Sequence, residues 1–141
     1  MSLINFYSRT TFELTDRLKI AVWIGRVIRD ERKSVGNINY IFTTDQDLLE
    51  MNRHYLGHDY FTDILTFDYT EGNRISGDIF ISIDRVEENA ASFGAVTDDE
   101  LRRVMVHGVL HLMGYGDDSA EEKEAMRRLE TEKMGLFHVE Q

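Results

Sequence analysis

Cysteine and proline are both absent from this 141-residue chain. Lack of cysteine excludes a disulfide framework and any thiolate metal site. Lack of proline leaves turns to be built from glycine, Asn and Asp. No apolar run reaches membrane-spanning length, and the opening stretch MSLINFYSRTTFEL has none of the charged-then-apolar layout of a secretory leader. There is no internal repeat, low-complexity tract or linker. The expectation is therefore one domain over residues 1–141, cytoplasmic in location. Hydrophobic content of 42% with 11% aromatics excludes wholesale disorder and is enough to bury a core.

Positive charge is also scarce. The net charge is −10, spread unevenly: +3 over residues 1–44, −11 over 45–100 and −2 over 101–141. Such a balance argues against a protein that coats nucleic acid by neutralising phosphates. An RNA partner would have to meet a local basic patch. The expected patch is the first helix, with Arg17, Lys19, Arg26, Arg29, Arg32 and Lys33. A plain solvated helix face is the competing explanation for each of these side chains.

What is present has clear periodicity. INFY predicts a short strand, and Leu14, Leu18, Ala21, Val22 and Ile28 fall at helical spacing over Leu14 to Asp30. NINYIFTT alternates as a strand should, and DQDLLEMNRHYL predicts a helix capped by Thr44 or Asp45. ILTFDY and GDIFISI form a predicted hairpin turning at Gly72 and Asn73. DRVEENAASFG predicts a helix stopping at Gly94. Thr97 and Glu100 stand at capping-box spacing ahead of a helix that stops at Gly114. Ser119 and Glu122 repeat that spacing before a last helix running to about Met134. Strands loosely alternating with helices, at least one pair antiparallel, predict an α+β fold: a small mixed sheet covered by helices.

The helix ending at Gly114 is apolar on nearly every side after Arg103, which places it inside the protein. His107 and His111 interrupt it at i,i+4 spacing, so both imidazoles share one face. Burying two rings is costly unless their nitrogens are paired, and one divalent metal pairs both. Gly114 and the following Tyr-Gly-Asp let the chain double back, bringing Asp117 toward that face. The pattern H-x-x-x-H-x-x-G-x-x-D has the ligand spacing of a metzincin-type zinc site, with aspartate third. Two imidazoles and a carboxylate leave a fourth tetrahedral position for water. Asp118 competes for the third place; register favours Asp117. Zinc peptidases put a glutamate after the first histidine, whereas this chain has Gly108, which is expected to open space beside the metal for a bulky phosphodiester.

At these residues the chain resembles the YbeY family of metal-dependent endoribonucleases. Its HGVLHLMGYGD stands against the family signature H-G-x-L-H-L-x-G-Y-D-H. NRHYLGHDYFTDILTFDY resembles a second family stretch, N-x-x-Y-R…T-D-V-L-S-F, and Gly77, Asp78 and Ile79 a third. The resemblance spans about residues 37–135 and implies an α+β sandwich, with a metal site on a central buried helix. It implies a zinc-dependent endoribonuclease acting on single-stranded RNA in rRNA maturation, at the 3′ end of small-subunit rRNA, with the ribosome or its small subunit as partner. Two positions depart from the pattern: Asp117 replaces the family's third histidine, and Leu56 replaces an arginine expected to meet phosphate. An anionic ligand makes a zinc-bound water less acidic. Arg53 or Arg74 would have to stand in for the missing arginine.

Asp63 and Asp78 also match family positions; each would line the cleft or orient a ligand, while Asp63 would alternatively cap a turn. Asp118 and Asp63 are the candidate general bases. His54, His58 and His138 lie in polar surroundings and are expected at the surface. Two other functions fit the metal pattern: a non-enzymatic ribosome-assembly factor with a structural ion, and a metal-dependent peptidase, which Gly108 disfavours.

Overall fold

The computed structural model describes residues 3–139, with the His138 and Val139 side chains outside the description. In chain order its elements are β1 (Ile4–Ser8), α1 (Arg17–Asp30), β2 (Ser34–Thr43) and α2 (Asp45–Leu56). There follow β3 (Ile64–Asp68), β4 (Arg74–Ser82), α3 (Ile83–Phe93), α4 (Thr97–Leu112) and α5 (Ala120–Val139). The strands form one sheet in the order β1-β2-β4-β3. β1 and β4 both run parallel to β2, and β3 pairs antiparallel with β4. The fold is the mixed-sheet α+β arrangement that the periodicity predicts.

The antiparallel pair follows from the turn. Glu71 and Arg74 exchange backbone hydrogen bonds of 3.2 and 3.0 Å across Gly72 and Asn73. Gly72 takes φ 58°, the left-handed backbone a two-residue hairpin requires. Pairing therefore starts at Arg74, three residues earlier than the apolar run GDIFISI suggests.

Alternation in β2 and β4 separates two faces of the sheet. Ile38, Tyr40 and Phe42 pair in register with Gly77, Ile79 and Ile81 on the face that meets α4. All five of the side chains larger than hydrogen are buried there, and the Tyr40 hydroxyl donates to the Met105 carbonyl of α4 at 2.9 Å. The other face carries Asn39, Ile41, Asp78 and Phe80, with α2 lying over its β3–β4 end.

Helix ends explain most departures from expectation. α1 begins at Arg17 because Asp16 has φ 57°, although Leu14 is still buried. Thr97 and Glu100 do not form a capping box: Val96 is the N-cap of α4, without a side-chain bond, and Glu100 is buried. Asp98, Asp99 and Glu100 place negative charge on that first turn, where the helix dipole favours it. The box at α5 does form, Glu122 N–H donating to Ser119 Oγ at 3.0 Å and Ser119 N–H to Glu122 Oε1 at 3.1 Å. That helix runs past Met134, since Phe137 packs edge-on against Trp23 with ring centres 5.4 Å apart. No helix among the described residues is long and apolar enough to cross a membrane.

Candidate metal centre

α4 supplies the platform. Leu101, Val104, Met105, Val106, Val109, Leu110 and Leu112 are buried, which fixes the helix in rotation and position. It lies close against the sheet at Gly108, where a Cβ would stand 2.9 Å from both Ile64 and Ile79 side chains. Gly108 therefore does not open space beside the metal, as its place after His107 suggests. It faces the sheet, and its missing side chain lets α4 lie flat against β3 and β4.

With α4 so placed, His107 and His111 present their rings on successive turns, half-buried, with Nε2 atoms 3.0 Å apart. Gly114 then takes φ 99°, a conformation other residues rarely adopt, and turns the chain back. Tyr115 anchors the returning loop by donating its hydroxyl to Glu31 at the end of α1. Glu31 is held in turn by the buried Lys133 of α5 at 2.8 Å. The loop so fixed brings Asp117 Oδ2 to 3.3 Å from each histidine Nε2.

Those separations match an ion. A tetrahedral zinc with bonds of ~2.0–2.1 Å sets its donors roughly 3.3 Å apart. The three ligand atoms here are 3.0, 3.3 and 3.3 Å apart. Among the described residues no other three His, Asp or Glu groups gather so closely. Asp118, the competitor for third place, is exposed, its backbone N–H donating to Glu122 Oε1 in the cap of α5.

A fourth residue, invisible to the sequence argument, completes the set. Glu130 of α5 accepts a 2.6 Å hydrogen bond from His107 Nδ1, fixing the proton there and leaving Nε2 with its lone pair toward Asp117 and His111. Arg103 binds the other Glu130 oxygen at 2.9 Å. Burial works to raise the Glu130 pKa, but the hydrogen bonds from His107 and Arg103 outweigh it and hold the carboxyl below its ordinary range. Burial likewise works to lower the His107 pKa, and Glu130, joined by Asp117 and Asp63, drives it above the ordinary value. In sequence Glu130 is one of many acids in a charged helix, and only tertiary packing distinguishes it.

A cavity of about 300 Å³ opens beside the triad, with His107 and Asp117 in its wall. Asp63 lines it, its pKa raised chiefly by burial. Arg103 and Arg127 supply its cations. No residue of α1 lines it, nor do Arg53 and Arg74; Arg53 is instead paired with Asp59. The missing arginine at Leu56 is thus not replaced by either expected stand-in. Asp78 lies on the opposite face of the sheet, where it accepts a 3.0 Å hydrogen bond from Asn39, so it neither lines this cleft nor orients a ligand. His54 and His58 are exposed, and the His138 side chain lies outside the described residues.

Comparison with known proteins gives a consistent result. The sequence model of the family "Endoribonuclease YbeY" matches residues 7–138. A protein of that name from Flavobacterium johnsoniae is 50% identical over 139 residues, covering 99% of this chain and 100% of its own. Another from Christiangramia forsetii is 49% identical, covering 98% and 96%. A Thermotoga maritima protein solved in solution superposes with a TM-score of 0.65 at 27% identity, covering 96% of this chain and 92% of that one. On the strength of the match and of the two histidines that carry its signature, this chain belongs to the endoribonuclease YbeY family.

Proposed function

We propose that the chain is a zinc-dependent endoribonuclease that cuts single-stranded RNA in rRNA maturation, acting in the cytoplasm on the 3′ end of small-subunit rRNA with the ribosome or its small subunit as partner. His107, His111 and Asp117 would hold one ion. The observation that carries the reading is that two members of the triad, His107 and Asp117, stand in the wall of an open cavity. A purely structural ion is closed off by protein ligands, whereas a catalytic one keeps a side open to substrate. Zinc bound there would supply Lewis-acid stabilisation of the charge that develops on a phosphoryl oxygen.

The chain's own residues supply the rest. Arg127, exposed in the cavity wall, attracts the phosphodiester. Asp63 takes the proton of the attacking nucleophile at a carboxylate oxygen, and the rise in its pKa caused by burial makes it a better acceptor. Asp118 is exposed and does not line the cavity, so it is not placed for that task. Glu130 keeps the His107 ring fixed and its proton on Nδ1.

The test compares cleavage of single-stranded RNA by the zinc-loaded wild type and His111→Ala. A loss on the order of a hundredfold or more is expected, since the variant removes one of three ligands. Equal rates would overturn the assignment.

A further inference from the structure

Beyond the triad and Asp63, the same cavity continues along α4 toward its N-terminus, and its far wall has no task in the chemistry above. Glu100 lies there, seven residues and so ~10 Å along the helix from His107. Only 7% of it is exposed, yet its carboxylate makes no hydrogen bond or ion pair among the described residues. Nor are its oxygens sealed in protein: among the described residues the one buried side-chain atom left wholly unpartnered is Asn52 Oδ1. A buried carboxylate with open acceptors, lining a cavity, is an unfilled hydrogen-bonding site. α3 contributes Asn89, whose side-chain amide likewise has no partner among the described residues, and Phe93, 65% exposed.

An exposed aromatic ring beside an unpaired amide and an unpaired carboxylate is the equipment for holding a nucleobase: a surface to stack on and groups to read an edge. We propose that this cavity binds the base next to the scissile phosphate and selects guanine, with Glu100 reading its Watson–Crick edge. The inference rests on the endoribonuclease reading above and adds base specificity to it.

Guanine follows from what a carboxylate offers. It accepts at both oxygens and donates at neither. Guanine alone among the four RNA bases presents two adjacent N–H donors, N1–H and the N2 amino group, with no acceptor between them. Adenine and cytosine set a ring-nitrogen acceptor beside the amino group, and uracil flanks its single N–H with two carbonyls, which a carboxylate repels. The Asn89 amide N–H₂ is the available donor for guanine O6. Burial, joined by Asp63 and Glu130, raises the Glu100 pKa, and Arg103 and Arg127 oppose that rise.

Two readouts test this. Zinc-loaded protein is given single-stranded RNAs that differ only in the base flanking the cut, and GMP, AMP, CMP and UMP are titrated calorimetrically. Wild type should favour guanine on the order of tenfold in both measurements, a usual value for a bidentate base contact. Glu100→Gln, nearly isosteric, should bring the guanine-to-adenine ratio close to one in both, with its melting temperature confirming that it is folded. Phe93→Ala should weaken binding of all four nucleotides alike. If GMP is preferred while no RNA is cut, the nuclease reading fails and the base site stands. If RNA is cut with no preference for guanine, or if Glu100→Gln keeps the preference, the inference is overturned.

Discussion

Asp63 and Asp78 both match positions of the family pattern, and the fold separates them: Asp78 sits within β4 on the face under α2, and Asp63, just ahead of β3, lines the cavity beside α4. Asp78 is paired with Asn39 beneath α2, where its hydrogen bond is already made. Asp63 lines the same cavity as His107 and Asp117, and is buried there. The Asp78 carboxylate is already paired, whereas Asp63 lines a cavity. Chemistry belongs where groups are held in place without being used up. Equal agreement with a motif therefore does not mean equal function; the pairing state of each carboxylate separates them.

The contrast is broken most directly by paired substitutions. Asp63→Asn should lower RNA cleavage on the order of a hundredfold or more, the usual contribution of a general base. Asp78→Asn, measured in the same cleavage assay, should change the rate by less than about twofold, because its partner lies across the sheet from the site. Similar losses in both variants would erase the distinction between the two carboxylates.

Next in size is the effect of Glu130. Glu130→Gln keeps the shape of the side chain but loses the charge that orients His107, and zinc affinity should fall ~10–100-fold in a chelator-competition titration. Gly108→Ala probes the packing of α4 on the sheet. Its new Cβ would lie 2.9 Å from side-chain carbons of Ile64 and Ile79, so those side chains or α4 must shift. The expected cost is about 1–3 kcal/mol in urea unfolding, as for overpacking elsewhere. Stability equal to wild type would show that the approach of α4 is not limited by that contact.

The smallest effect concerns the loop anchor. The Lys133 hydrogen bond first, and the Tyr115 hydrogen bond second, lower the Glu31 pKa below its ordinary 4.5. Its stabilising contribution is then full above about pH 4.5 and is lost as pH falls through the lower folded value. Urea midpoints followed into acid should show this loss in wild type and a flatter profile in Glu31→Gln. An unchanged acid profile would mean the network does not report on folding.

Much of this was legible in the sequence, for identifiable reasons. His107, His111 and Asp117 lie within one helix and its following turn, so local geometry sufficed to bring them together. The hairpin at Gly72 and the box at Ser119 are likewise local. Glu130, Arg103 and Arg127 were missed because they reach the site from α5 or from the flank of α4, through tertiary packing that no spacing encodes. Gly108 was misjudged for a related reason: adjacency to a ligand says nothing about which way the next residue faces. The basic residues of α1 were favoured on charge alone, and the cavity draws its cations from elsewhere.

The central claim is that one ion bridges both imidazoles and the carboxylate beyond the turn. Calorimetric titration of the metal-free protein with zinc tests it, using Asp117→Ala and Asp118→Ala beside the wild type. Wild type and Asp118→Ala should each bind one ion per chain with like affinity, and Asp117→Ala should bind far more weakly. Undiminished binding by Asp117→Ala would contradict the account.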